Sequence, residues 1–187
     1  MRVISGTAKG KRLFSPENYS LRPTLDRVKE SIFNMISGAL PDAAALDLFA
    51  GTGQLGIEAL SRGAKRCSFV EKDAAACRLI QKNLSYTGLS GCATLIRGDV
   101  LASVRRLSGK MLKFDLVFAD PPYKCDYFGS SDGINLLKLE YLCDIIAVNG
   151  LFIAEHRSRD RLDFGPEFRE IRNRVFGQTS ITILKRL

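Results

Sequence analysis

"LDLFAGTGQLGIEAL", residues 46–60, decides how the rest of the chain is read. An apolar run with strand character ends near Ala50, and Gly51, Gly53 and Gly56 follow in the pattern G-x-G-x-x-G before a helical run. Glycine suits such a junction because a tight strand-to-helix turn visits positive φ, and a ligand can approach the backbone with no Cβ in the way. A strand that feeds a helix through such a turn is the first unit of an α/β sheet.

Working outward, strands are expected near residues 44–49, 67–71, 93–97, 114–119 and 150–155, separated by helices near 54–62, 73–86, 101–107 and 134–148. This alternation predicts a doubly wound α/β fold with parallel strands. The end departs from it: "FREIRNRVF" and "SITILKRL" are extended runs joined by "GQT", which predicts a closing antiparallel hairpin. At the start, "RVIS" and "KRLFS" flank the turn-prone "GTAKGK", predicting a small hairpin with Lys9, Lys11 and Arg12 at its tip or edge. A helix should follow in "RPTLDRVKESIFNMISG", with Thr24 as N-cap and Gly38 as stop. Leu25, Val28, Ile32 and Ile36 would form its buried stripe, leaving Arg27, Lys29 and Glu30 on the open face. One domain is expected over residues 1–187, a basic hairpin and helix (1–40) on an α/β core (41–187).

Bulk properties bound the function. The 187 residues, 45% hydrophobic and 26% charged, suit one well-buried core. No run of about 18 apolar residues is present, and the first residues lack the apolar core of a signal peptide, so a cytoplasmic protein without a membrane partner is expected. The five cysteines form no C-x-x-C pair and His156 is the single histidine, so neither a disulfide framework nor a metal site is expected. His156 is not expected to act as a catalytic acid or base. The net charge of +8 sits at the ends: residues 1–29 hold seven Lys/Arg against two acids, and residues 156–187 hold eight against four. Basic ends around a near-neutral middle fit a polyanion surface, with an ordinary solvated surface as the alternative.

Three readings of the glycine loop stay open: a dinucleotide site, a site for S-adenosylmethionine (AdoMet), and a close turn that binds nothing. Acids at successive strand ends narrow them. Glu71 follows "CSFV" twenty residues after Gly51, where a carboxylate can accept both ribose hydroxyls of an adenosine. Asp99 in "RGDV" is placed to receive an adenine amino group, and Asp47 to hold the loop or a ligand ammonium.

The quartet "DPPY", Asp120-Pro121-Pro122-Tyr123, ends the fourth strand. It reads either as a stiff turn or as a site for an exocyclic amine. Such an amine is a poor nucleophile because its lone pair is delocalised into the base. Asp120 and the carbonyl of Pro121 could accept its two N–H groups and draw the nitrogen toward tetrahedral geometry, while proline rigidity fixes the acceptor in advance. Tyr123 offers a face for an unpaired base. NAD chemistry gives the quartet no comparable role.

Together "DLFAGTG", "FVEKD", "DPPY" and "RPTLDRVKESIFN" make the chain similar, over essentially its whole length, to the RsmD family of small-subunit ribosomal RNA guanine-N2 methyltransferases. The resemblance implies a Rossmann-like seven-stranded methyltransferase sheet, AdoMet as methyl donor and one guanine of 16S rRNA as target, methylated on N2. It assigns Gly51, Gly53, Glu71 and Asp99 to the cofactor, and Asp120, Pro121 and Tyr123 to the target amine; Asp47 and Phe49, beside the glycines, are expected to join the cofactor site. RNA contacts are expected from Lys9, Lys11, Arg12 and Arg22. A monomer acting on an assembled or partly assembled small subunit is expected. DNA adenine or cytosine amino-methylation, or a non-catalytic RNA-binding or assembly role on the same fold, are the alternatives. The polar loop 124–133 stays unassigned.

Overall fold

A computed structural model describes residues 1–16, 23–122 and 135–187. Its frame is a seven-stranded sheet in the order β3-β2-β1-β4-β5-β7-β6. Strands β1 (Ala44–Leu48), β2 (Arg66–Glu71), β3 (Ala93–Arg97), β4 (Phe114–Ala119) and β5 (Ile146–Arg157) run parallel, whereas β6 (Phe168–Phe176) and β7 (Thr179–Arg186) form the expected antiparallel hairpin. Chain order reverses between β1 and β4, the switch point where open α/β sheets hold ligands beyond their carboxyl ends.

Helices cover both faces. On one, α1 (Pro23–Met35), α2 (Gln54–Ser61) and α3 (Ala74–Thr87) bury Ile32, Phe33, Ile57 and Ile80 against Phe69, Phe118, Ile153 and Ile181. On the other, α4 (Val100–Ser108) and α5 (Glu140–Ile145) bury Val104, Leu107, Leu142 and Ile145 against Leu46, Val117 and Phe152. Every residue of β1 is buried, as a central parallel strand requires, and Asp47 is its only polar side chain.

Four local expectations are corrected. Helix α1 begins at Pro23 rather than after a Thr24 cap, which suits proline because its missing N–H has no intrahelical partner in a first turn. It ends at Met35, and Gly38 lies inside the 3₁₀ turn Ser37–Ala39 instead of stopping the helix. Lys29 is 2% exposed, not on an open face, because the N-terminal segment covers that side of α1. Residues 134–148 are not one helix: a 3₁₀ turn at Leu136–Lys138 precedes the short α5, and β5 already starts at Ile146. β-Branched Ile146 and Val148 favour the strand, and its register against β4 shifts between Phe114 and Leu116.

The N-terminal hairpin closes through one bridge, Arg2 to Arg12, with the backbone N–H groups of Val3 and Leu13 donating to Lys11 and Met1. Met1, Val3, Ala8 and Leu13 join the buried cluster beneath α1 and α2. Glu58 of α2, 0% exposed, accepts from the N–H groups of Ile4 and Ser5 at 2.8 and 3.0 Å and from Arg62 Nε at 2.7 Å, with the Lys29 ammonium 3.5 Å away. This buried cluster ties the hairpin to both helices.

Candidate active site

The carboxyl edge of the sheet is assembled by strand register. Leu48 pairs with Val70 on one side and Ala119 on the other, and Ala119 pairs with Ala154. The next residue along each strand therefore forms one row across the switch point: Glu71, Phe49, Asp120 and Glu155. A row of three acids at a sheet's ligand-binding edge is the arrangement from which chemistry must be read.

The glycine loop is held from below and from the side. Phe49 has φ of 60° and Gly53, at the N-cap of α2, has φ of 79°; a left-handed phenylalanine is uncommon and marks a conformation imposed by its surroundings. Gly56 is a packing glycine: a Cβ there would lie 2.3 Å from the Phe69 ring and 2.7 Å from the Cys67 sulfur, so it lets α2 close onto β2. Its N–H donates to Asp47 Oδ2 at 2.8 Å. Burial pushes the Asp47 carboxyl up to about 7, helped by the Glu71 charge and opposed by that hydrogen bond.

Glu71 is half-buried and fixed at both oxygens, Oε2 accepting from Gly51 N–H and Oε1 from Asp73 N–H, each at 2.8 Å. The same turn makes Asp73 the N-cap of α3, accepting from Ala76 N–H. Asp99, exposed, is the N-cap of α4: its Oδ1 accepts from Leu101 and Ala102 at 2.9 and 3.2 Å. Each acid thus keeps a defined orientation at its strand end, and each oxygen of Glu71 retains a lone pair for a second donor.

Asp120, half-buried, directly follows β4, and Pro121 is buried beside it. Loss of hydration and the charges of Glu155 and Asp47 hold the Asp120 carboxyl well above the ordinary carboxylate range. Tyr123 lies outside the described residues, as does Arg22. Of the other basic candidates, Lys9 and Arg12 are exposed on the hairpin, but Lys11 has a structural task. Its ammonium donates to the carbonyls of Tyr86 and Thr87 at the end of α3, where a cation favourably meets unpaired acceptors.

Two residues at the site escaped sequence reasoning. Glu155 ends the "FIAE" run, and the strand-end rule that selected Glu71 and Asp99 would have found it. Asn83, fully buried in α3, donates to Thr52 O of the glycine loop and to Phe14 O, and accepts from Phe14 N–H, so it couples the loop to the N-terminal segment. No local pattern signals that contact. His156 stands apart from the row, between the Arg157 carbonyl and Thr182 Oγ1 at 2.9 Å each.

Among the described residues no helix is long and apolar enough to cross a membrane. The chain is 37% identical to YlbH of Bacillus subtilis, a protein provisionally named an rRNA methyltransferase, over 187 residues that cover 100% of this chain and 99% of that one. It is 38% identical to the ribosomal RNA small subunit methyltransferase D of Escherichia coli over 138 residues, 74% of this chain and 67% of that protein. Among solved structures, the Escherichia coli protein yhhF, provisionally named a methyltransferase, superposes with a TM-score of 0.83 at 31% identity, covering 100% of this chain and 97% of that one. The family model described as "Conserved hypothetical protein 95" matches residues 1–185, and the chain belongs to that family, the RsmD family anticipated from its motifs.

Proposed function

We propose that the protein transfers a methyl group from AdoMet to the exocyclic N2 of a guanine in small-subunit ribosomal RNA. The observation that carries this reading is the row at the carboxyl edge, where Asp120 and the rigid Pro121 stand one strand from the glycine loop and two from Glu71. A donor site and an acceptor site for one transfer must be neighbours, and here they share a sheet edge. The names borne by the relatives support methyl transfer to ribosomal RNA, in one case that of the small subunit.

The residues fit AdoMet in kind. Glu71 offers ionised oxygens to ribose hydroxyls, Asp99 an acceptor to the adenine amine, and Asp47 a buried carboxylate to the ammonium end, with Phe49, Gly51 and Gly53 shaping the loop. Among the described residues, an added Cβ at Gly51 would meet only the Phe49 carbonyl, at 3.9 Å. When bound, the cofactor supplies a methyl group on a sulfonium. The chain's own residues then act on the substrate. With Asp120 ionised, its carboxylate and the Pro121 carbonyl accept the two N–H bonds of the guanine amine, localise its lone pair and aim it. The carboxylate stabilises the positive charge that grows on nitrogen as the N–C bond forms and the S–C bond breaks, and its raised proton affinity suits it to take the proton that the methylated nitrogen sheds. Tyr123 stacks on the base. In this reading the protein works in the cytoplasm as a monomer, on an assembled or partly assembled small subunit.

The test is incubation with labelled AdoMet and small subunits from cells lacking the enzyme, followed by nucleoside analysis. Label in N2-methylguanosine is expected. Label in a methylated adenosine or cytidine, or none in RNA, overturns the proposal.

A further inference from the structure

A groove of about 630 Å³ opens between α1 and the β6–β7 hairpin, away from the glycine loop. Arg27, Glu30, Ser31 and Asn34 of α1 line one wall, and Arg174 and Phe176 of β6 the other. Arg174 reaches across, Nη1 donating to Ser31 Oγ at 3.0 Å. Both arginines are exposed, and neither forms an ion pair among the described residues. Glu30 is the single acid among the described residues that line the groove, so the two guanidinium groups leave this lining positive.

Strand register gives the groove its place. Glu155 pairs with Ile181 and Ile181 with Arg174, so the row that carries Asp120 and Glu155 continues into Arg174. Three strand spacings separate Asp120 from Arg174, roughly 14 Å at ~4.8 Å each. Ile181 belongs to the cluster beneath α1, so Arg174 opposite it is on the α1 side of the sheet, as its bond to Ser31 also requires. The separation is spanned by a few nucleotides of single-stranded chain. Arginine pairs are suited to phosphate oxygens by their forked donors, and Ser31 and Asn34 add neutral hydrogen-bonding groups beside them.

Resting on the reading of the protein as an rRNA methyltransferase, we propose that this groove is the phosphate track of the active site: Arg27 and Arg174 hold the sugar–phosphate backbone of the nucleotides flanking the guanine at Asp120. Among the basic residues of both chain ends, the sequence reading names Lys9, Lys11, Arg12 and Arg22 as RNA contacts, and not Arg27 or Arg174. The hairpin's Lys11 is engaged on α3, whereas the C-terminal arginine stands on the row that carries the chemistry. The competing explanation is that charge on β6 merely protects an edge strand from pairing with other chains.

The experiment uses the full chain with a short fluorescein-labelled single-stranded RNA titrated over a range of KCl, and measures AdoMet affinity and methyl transfer to small subunits in parallel. R27Q/R174Q should weaken RNA binding at least tenfold and flatten the slope of log K against log salt by about 1.4, since each phosphate contact to a single strand contributes about 0.7. AdoMet affinity should stay at the parent value. K65Q/R66Q removes the same charge at the opposite, amino-terminal edge of β2 and should leave the slope unchanged. R27K/R174K should retain it. An unaltered slope in R27Q/R174Q, an equal loss in K65Q/R66Q, or failure of the lysine pair to retain the slope each overturns the proposal. If the parent protein moves no methyl to small subunits while the slope still responds to R27Q/R174Q, the groove stands as a phosphate surface and the methyltransferase reading fails by itself.

Discussion

Glu58 and Asp47 are both withdrawn from water, at 0% and 2% exposure, yet they are built for different ends. Glu58 is saturated by the protein itself: two backbone N–H groups, the Arg62 guanidinium and the Lys29 ammonium surround one carboxylate. Asp47 receives the Gly56 N–H and faces the negative field of Glu71, and its carboxyl is pushed up to about 7. A buried acid whose partners are all supplied internally fixes structure. One with no neighbouring cation among the described residues, sharing its edge with other acids, holds capacity for a cationic or N–H-bearing ligand.

The largest effect should come from disturbing the saturated acid. Glu58→Ala takes the carboxylate from the buried Lys29 ammonium, which keeps only the Arg2 carbonyl among the described partners, and leaves the N–H groups of Ile4 and Ser5 without acceptors, so urea unfolding should show a loss of about 3–5 kcal/mol. Glu58→Gln, which keeps one acceptor oxygen, should lose less. A loss under about 1 kcal/mol for the alanine variant would mean that Glu58 does not organise the hairpin and α1.

Asp47 should respond to pH in a way that Glu58 does not explain. Its folded-state pKa lies above the unfolded value, so the folded protein holds the extra proton between about pH 4 and pH 7. Stability from this group is full below the unfolded pKa, falls as pH rises through that window, and is lost above the folded pKa, by roughly 4 kcal/mol in total. Asp47→Asn should flatten the stability–pH curve over the same window, measured as unfolding free energy at pH 5 and pH 8. An identical curve in both proteins would remove the contrast with Glu58.

How far this contrast could be read in advance depended on what each residue's neighbours in sequence disclose. Glu71, Asp99 and Asp120 were legible because each ends an apolar run, and strand ends of a parallel sheet share one edge. The bounds of β3 and β4 were legible for the same reason. Lys29 was misplaced because a helix's own periodicity cannot tell which segment will cover its second face, and here the covering comes from residues 1–13. Of the partners of Glu58 the sequence signals only Arg62, an i,i+4 neighbour at the end of α2, since Ile4, Ser5 and Lys29 come from two distant segments. The helix expected at 134–148 failed where β-branched residues outweighed a loosely apolar pattern.

A smaller effect should come from the cofactor edge itself. Glu71→Ala removes the acceptor proposed for ribose hydroxyls and also frees the N–H groups of Gly51 and Asp73, so AdoMet affinity by calorimetry should drop roughly tenfold or more. Global stability should fall far less than in Glu58→Ala, because the released N–H groups lie near solvent. Unchanged affinity in a folded variant would move Glu71 from the ligand-binding acids to the structural ones.

The central claim, that the acid row performs methyl transfer, rests on Asp120. Single-turnover transfer to small subunits by Asp120→Ala, with AdoMet binding followed in parallel, tests it most directly. The account predicts a folded protein that binds AdoMet and transfers methyl about 10²-fold or more slowly, the scale of losing one preorganised electrostatic partner. Transfer at the parent rate would contradict it and reduce Asp120-Pro121 to a stiff turn at the end of β4.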